Sequence, residues 1–194
     1  MLTHFKSLFA GCLAVLVIVP GTRTSVQTRA VPENVASEFA TRIQRYMATR
    51  QDSMAALPGA ADRAAPEAVL DRRARLNERI RTARKDTKPG DILFPDLVAA
   101  ITAIFRSDSF SITGRQATAM ARETESPPSN IPVPRLNQEF PKDYGLVSPP
   151  ATILVQLPEL PEALEYRLIG PHLVLRDIDA NLIVDVAPNV LTAR

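Results

Sequence analysis

Apolar and polar side chains alternate in three short runs near the end of the chain, and this alternation constrains the fold more than any other sequence feature. Side chains two residues apart lie on one face of a strand, and the two-residue loops between the runs have the length of tight hairpin turns. We therefore predict an antiparallel meander with one buried face, in which Glu165 pairs with Arg176 and Leu175 pairs with Val184. The apolar positions assigned to that face are Leu164, Tyr166, Leu168, Leu173, Leu175, Leu182, Val184 and Val186.

Helical periodicity characterises the first part of the chain. Residues 33–56, residues 66–87 and the segment that starts at Pro95 carry apolar side chains at three- and four-residue spacing, which predicts three amphipathic helices. A fourth, weaker helix is predicted over 113–125. The predicted fold class is α+β: an N-terminal bundle of three to four helices, a proline-rich connector and a small C-terminal antiparallel β-meander.

Proline is abundant, with 17 of the 194 residues, and nine of the 17 fall between Pro127 and Pro161. Because proline has no amide hydrogen and a fixed φ, we predict that residues 126–150 form an extended connector or lie as a coat against the domain. Residues 152–157 are predicted to be a further short strand. The predicted organisation is a helical region over 31–125, the linker over 126–150 and the β module over 151–194.

The first thirty residues have the pattern of an export signal. They contain basic residues and no acid, and residues 8–19 are almost purely apolar before Pro20 and Gly21 interrupt them. A membrane-spanning helix needs about 20 apolar residues, so this run is short for a permanent anchor. We predict a signal peptide over 1–30 that is removed near Ala30, with an uncleaved anchor as the alternative, and a periplasmic or secreted protein.

Removal of that leader would also remove Cys12, the only cysteine of the chain. Three of the 23 basic residues and none of the 21 acidic residues lie in the leader, so the mature chain would carry a net charge of −1. A chain without cysteine has no disulfide, Cys-ligated zinc, iron–sulfur cluster or cysteine nucleophile. The sequence also lacks the G-x-G-x-x-G, Walker and H-E-x-x-H motifs. We therefore expect no cofactor and no catalytic activity.

The predicted second helix is basic, with eight basic and four acidic residues between Pro66 and Lys88. The spacing of oppositely charged residues as helix neighbours favours a solvated helix face. The alternative is that Arg72, Arg75 and Arg79 form a partner surface for an envelope protein or an anionic membrane surface. No aromatic residues interleave with the arginines, so we expect no nucleic-acid partner. A second predicted contact is a sheet edge, at residues 152–157 or 182–186.

Four oxygen-bearing side chains follow the second predicted strand in the pattern D-x-D-x-N-x-x-x-D: Asp177, Asp179, Asn181 and Asp185. Alternate oxygen ligands on a tight loop are typical of calcium sites. The run lacks the glycine and the twelfth-position acid of a calcium loop, and Asp and Asn also favour turns for local reasons. A weak divalent-cation site is therefore an alternative to a plain turn.

Three glutamates, Glu159, Glu162 and Glu165, are the candidates for a carboxylate-dependent hydrolase. Their spacing and the neighbouring prolines favour a turn that leads into a strand. His172 has no second histidine, cysteine or nucleophile motif beside it, so we expect a turn residue and not a ligand or a base.

Two stretches resemble an uncharacterised family of small exported bacterial proteins. One is residues 90–95, with the sequence GDILFP, and the other runs from LPELP at 157–161 through LEYR at 164–167 to ANLIVD at 180–185. The resemblance implies a compartment and a type of module, and no activity. The meander is also similar in strand pattern to the C-terminal module of periplasmic nickel/cobalt-homeostasis proteins.

The sequence therefore predicts an exported, non-catalytic interaction or structural module. A weak divalent-metal-binding envelope protein and a carboxylate-dependent hydrolase are the alternatives.

Overall fold

A computed structural model describes residues 31–57, 65–109, 133–142 and 144–191 of the chain. Its elements, in chain order, are helices α1 (Glu33–Ala55), α2 (Pro66–Ala83), α3 (Pro95–Ser109) and α4 (Ala151–Leu154) and strands β1 (Leu164–Ile169), β2 (His172–Asp177) and β3 (Leu182–Ala187). The predicted α+β class is confirmed. The predicted fourth helix over 113–125 and the predicted leader over 1–30 lie outside the described residues.

Prolines mark the starts of the helices. Pro66 and Pro95 are the first residues of α2 and α3, and Pro32 directly precedes α1, because the fixed φ of proline suits the first turn. α2 ends at Ala83, about one turn before the predicted end. Residues 84–86 form a turn there, and the Arg84 Nη1 donates to the carbonyl of Val184 at 3.0 Å, so the chain leaves the helix where it meets the sheet.

The prediction of a strand over 152–157 is wrong, because α4 occupies residues 151–154. Pro150 caps this single turn, and the side-chain amide of Gln156 donates to the carbonyl of Thr152. Ile153 and Leu157 are both buried. Their four-residue spacing places them on one side of a helical turn, whereas a strand would have placed them on one face at a much greater separation.

The three strands form an antiparallel meander of order β1–β2–β3, as predicted. Glu165 pairs with Arg176, also as predicted. The predicted pairing of Leu175 with Val184 is wrong: Leu175 pairs with Asp185 and Arg176 pairs with Ile183, so Val184 is an extra residue in β3. A one-residue insertion of this kind is a β-bulge, which bends the strand and redirects its side chains.

The bulge changes which side of the sheet the end of β3 presents. Leu182 and Val184 lie in the core between sheet and helices, as does Ala187, while Ile183 and Val186 lie on the opposite face. Asp185 is thereby turned toward the helices, on the same side as Val184. The predicted placement of Val186 on the same face as Leu182 and Val184 is therefore wrong, because the alternation is interrupted at the extra residue.

One continuous apolar core joins the helices to this side of the sheet. α1 and α2 pack against each other, and α3 packs on α1 and α4. The largest fully buried side chains of this core are Phe39, Ile80, Ile92, Leu93, Leu97, Ile101, Ile153, Leu173, Leu175 and Leu182. The core fixes the position of the loop between α2 and α3 over the end of β3.

The described part of the proline-rich segment, residues 133–142 and 144–150, covers the other face of the sheet and contacts both outer strands. Phe140 packs there on Ile169, Val174 and Ile183. The amide of Ile183 donates to the carbonyl of Gln138 at 2.8 Å, and the amide of Leu168 donates to the carbonyl of Val147 at 2.8 Å. The edge predicted at residues 182–186 as a docking site is therefore occupied at its start by this segment.

Asp185 holds the loop between α2 and α3 onto the sheet. Its carboxylate is fully buried and accepts the backbone amides of Gly90 at 3.0 Å, Ile92 at 2.7 Å and Leu93 at 2.9 Å. Gly90 has a φ of +84°, a left-handed conformation that glycine adopts without strain. The two stretches quoted for the family resemblance, 90–95 and 157–185, thus meet at this carboxylate.

We expect Asp185→Asn to lower the free energy of unfolding by about 3 kcal/mol, because each carboxylate oxygen accepts two backbone amides and the new amide nitrogen would leave two of them unpaired. Urea unfolding measures the loss. Asp86→Asn is the control, since Asp86 is exposed in the adjoining turn and should change the value by less than about 0.5 kcal/mol. Equal stability of the two variants would contradict the role assigned to Asp185.

Candidate functional site

Asp177 lies at the end of β2 and anchors α1 to the sheet. Its fully buried carboxylate accepts the Tyr46 hydroxyl at 2.7 Å, the Arg50 Nε at 2.7 Å and the backbone amide of Ala180 at 2.9 Å. Tyr46 and Arg50 are four residues apart on α1, so one face of the helix presents both donors. Arg50 also contacts the carboxylate of Asp179.

The environment keeps both donors protonated. Burial raises the pKa of Tyr46, and the adjacent Asp177 carboxylate raises it further. Burial alone would lower the pKa of Arg50, but the attraction of Asp177 and Asp179 outweighs it, so that pKa is raised. A tyrosine and an arginine whose pKa values are raised stay protonated and do not exchange protons at ordinary pH. They act as donors that hold the structure together.

The four residues predicted to bind a divalent cation do not converge on one point. Asp177 faces α1 and Asp185 faces the loop between α2 and α3, while the Asn181 Oδ1 accepts the Arg176 guanidinium, with the nearer contact 2.6 Å long. Asp179 alone is well exposed. Across the described ranges, no three carboxylate, imidazole or thiol side chains are placed to hold a metal. The D-x-D-x-N run instead builds the β2–β3 turn, where Asn181 has a φ of +50°.

Arg84 was not singled out by the sequence pattern, although it is only 6% exposed. Its guanidinium lies over the Tyr46 ring, 5.1 Å from the centroid, and Nη1 donates to Val184 and to Asn137. Burial lowers its pKa. A signal was present in the sequence, because Arg84 stands four residues after Ile80 and so continues the buried stripe of α2.

The three arginines predicted as a partner surface share one face of α2, since three and four residues separate them. Arg75 and Arg79 are exposed, and Arg72 is half-buried. Arg79 also lines an open groove of about 600 Å³ between α1 and α2, together with Asp52 and Glu78. Two carboxylates therefore lie near Arg79, whereas Arg75 lies outside this lining.

The first half of α2 is exposed at every position except Arg72. Val69, predicted to belong to the buried side, is 49% exposed, and Leu70 is 60% exposed. All buried residues of α2 come later, beginning at Leu76. The groove between α1 and α2 is lined by residues of the last turns of α1 and by residues 78–83 of α2, and by none of residues 66–75. We name residues 66–75 the α2 arm.

The glutamates predicted for hydrolysis lie in different surroundings. Glu159 and Glu162 are exposed, and Glu165 lies on the outer face of the sheet between the guanidinium groups of Arg167 and Arg176. Burial would raise the pKa of Glu165, but hydrogen bonds from the two arginines outweigh it and lower that pKa. The His172 Nδ1 accepts the amide of Asn189 at 3.2 Å, and burial lowers the pKa of this histidine.

Comparison of the chain with protein-family models, with curated proteins and with solved structures finds no match. Among the helices in the described part of the chain, none has the length and apolar content needed to cross a membrane.

Two residues of the acidic turn should respond differently to truncation. Asp177→Ala should cost about 4 kcal/mol of unfolding free energy, because it removes the buried partner of the Arg50 cation, leaves it only the exposed Asp179, and leaves the Tyr46 hydroxyl without its acceptor. Asp179→Ala removes an exposed carboxylate and should cost less than about 1 kcal/mol. Denaturation with and without millimolar calcium measures both. Stabilisation by calcium that disappears in Asp179→Ala would restore the cation-site interpretation.

Acid should weaken the contribution of Glu165. A carboxyl whose pKa is lowered by folding stabilises the fold above its ordinary pKa, and that stabilisation is lost as the pH falls through the lowered value. Glu165→Gln should therefore be less stable than the wild type at about pH 7, and the difference should shrink by about pH 3. Urea unfolding at both pH values tests this. Glu162→Gln, at an exposed site, is the matched control, and a constant difference for Glu165→Gln would refute the assignment.

Proposed function

We propose that this chain is an exported, non-catalytic interaction module that binds an acidic envelope protein through the α2 arm and Arg79. One observation supports this most directly: Val69 is 49% exposed and Leu70 is 60% exposed, and the exposed Arg73 stands four and three residues after them on the same face of α2. Apolar side chains beside arginines are the combination that protein interfaces enrich.

The arm has the dimensions and rigidity of a docking element. It is continuous with a helix whose second half is held in the core by Leu76 and Ile80. Ordering the arm on binding therefore costs little conformational entropy. Full burial of an exposed leucine side chain contributes about 1.5–3 kcal/mol, so Leu70 and Val69 together supply a useful part of a weak affinity.

Charge and sequence favour a protein over a membrane surface as the partner. A helix that lies in a membrane interface presents a broad apolar face and a basic polar face. The arm has only two large apolar side chains, and it carries the acids Glu67 and Asp71 among its arginines. Interspersed charges of both signs suit a shaped protein surface better than a uniformly anionic lipid surface.

The export half of the proposal comes from the leader pattern of residues 1–30 and from the resemblance of the GDILFP and meander stretches to an exported family. The non-catalytic half is supported by the buried carboxylates. Asp177 and Asp185 each accept several internal donors, and Glu165 is shared by two arginines. These carboxylates are committed to holding the fold together.

Charge reversal on the arginine face tests the partner surface. We expect the triple variant Arg72→Glu, Arg75→Glu and Arg79→Glu, produced in the native host, to lose its crosslink to an acidic envelope protein. Like charges on the variant and on the partner would then face each other. Mass spectrometry identifies the crosslinked protein and shows whether the captured chain begins near Val31, as leader removal predicts.

A matched reversal of three exposed basic residues elsewhere, Arg45, Lys85 and Lys142, provides the control. It changes the net charge equally and should leave the crosslink intact, with circular dichroism confirming that both triple variants fold. Equal capture by the arginine-face variant and the wild type would refute the arm as the contact. A chain that retains Met1 in a cytosolic fraction would refute export.

A further inference from the structure

Residues 188–191 fold back onto the hairpin between β1 and β2, and we name them the C-terminal turn. The amide of Asn189 donates to the Nδ1 of His172 at 3.2 Å. The amide of Leu191 donates to the carbonyl of Pro171, also at 3.2 Å. Both hydrogen bonds end on neighbouring residues of the same hairpin, so the position of the C-terminal turn depends on that hairpin.

Val190 anchors the C-terminal turn in the core. Its side chain is 1% exposed and belongs to the apolar core between the sheet and the helices. Asn189 beside it has a φ of +58°, in the left-handed region that asparagine tolerates better than most residues. Segments near the end of a chain open at a lower free energy than central strands. Loss of one hydrogen bond therefore changes the open fraction of the turn measurably.

The contact between Asn189 and His172 requires a neutral imidazole. A backbone amide needs an acceptor, and a ring nitrogen accepts only while it carries no proton. In the imidazolium form both ring nitrogens are donors. Protonation of His172 would therefore place one N–H against another and remove this hydrogen bond. Histidine is also the side chain whose ordinary charge change falls between about pH 5 and pH 8.

His172 lies on the outer face of the sheet, because it pairs with Ile169, which packs there. Several other ionisable side chains lie on or beside this face: Glu139, Lys142, Tyr144, Glu165, Arg167 and Arg176. The two arginines share Glu165, and the lysine pairs with Glu139. The tyrosine hydroxyl accepts the amide of Gly170 at 2.7 Å. The C-terminal turn itself contains no ionisable side chain.

Burial lowers the pKa of His172 below its ordinary value of 6.5. A base whose pKa is lowered by folding stabilises the fold while it is neutral. That stabilisation is complete above about pH 6.5, and it is lost as the pH falls from there through the lowered pKa. The loss is therefore expected in mild acid, at a higher pH than the loss predicted for Glu165.

We infer that His172 is a proton-sensitive switch for the C-terminal turn. With a neutral ring, Nδ1 holds the amide of Asn189 and the turn stays closed. With a protonated ring, that contact is lost, the turn opens and Val190 leaves the core. A local change of charge thereby biases an element that has a closed and an open position. The inference goes beyond the proposed function and uses neither the α2 arm nor its partner.

Amide hydrogen exchange on the full chain, followed by NMR at about pH 7.5 and about pH 5.5, tests the inference. The measured quantity is the protection factor, which corrects each exchange rate for its intrinsic pH dependence. Protection of the Asn189 and Leu191 amides should fall about threefold to tenfold in acid, the factor that one lost hydrogen bond gives. Protection of Leu173 and Leu175 in β2 should stay constant. The chemical shift of the Asn189 amide should follow the titration of the His172 ring.

Two variants separate the imidazole from other effects of acid. His172→Asn offers a neutral acceptor oxygen that does not titrate, so the turn should stay protected at both pH values. His172→Phe keeps a flat ring without an acceptor. Its turn should show at about pH 7.5 the low protection that the wild type reaches in acid, and no further loss. Circular dichroism confirms that both variants fold.

Three results would overturn the inference. They are equal protection of the turn at both pH values in the wild type, an acid-dependent loss in His172→Phe as large as that of the wild type, and a loss that extends through β2. None of these results changes the crosslink of the α2 arm, so the proposed function is tested separately.

Discussion

Two buried carboxylates hold the helical layer on the sheet. Removing a carboxylate from water is expensive, and the cost is offset only when several donors replace the solvent. Asp185 obtains its donors from the backbone of the loop before α3, and Asp177 obtains them from two side chains of α1 and one amide of its own turn. Each carboxylate therefore joins segments that lie far apart in the chain, and the position of α2 between those segments follows from them.

The bulge at Val184 is a feature of this fold that the sequence pattern does not predict. Strand alternation predicts the class, the meander and the Glu165–Arg176 pair, because period-two patterning is a property of each strand alone. An extra residue in β3 leaves the alternation of apolar and polar residues in the sequence unchanged. It alters only which residues of β3 pair with β2. The inward direction of Asp185 depends on that pairing. Similarly, the short apolar run before Pro158 is compatible with strand or helix, and packing of Ile153 and Leu157 decides for a helix.

The candidate sites illustrate the same boundary. The acidic run matches part of the sequence pattern of a cation loop, but its carboxylates accept hydrogen bonds from Tyr46 and Gly90. These donors are far from the run in the sequence, so local spacing does not predict the contacts. The basic character of α2 is visible in the sequence, and so is the common face of Arg72, Arg75 and Arg79. The exposure of Val69 cannot be predicted from the sequence, because helical periodicity gives the apolar stripe of a helix but not the part of that stripe that other elements cover.

The segment around Phe140 and Val147 has a protective consequence for the chain. Unpaired strand edges are templates on which other chains aggregate, and proteins usually cover or interrupt them. Here a single stretch of connector hydrogen-bonds to β3 through residues 137–138 and to β1 through Val147. One proteolytic cut or local detachment in that stretch would expose the edges of β1 and β3 together. The solubility of the folded protein therefore depends on an intact proline-rich segment.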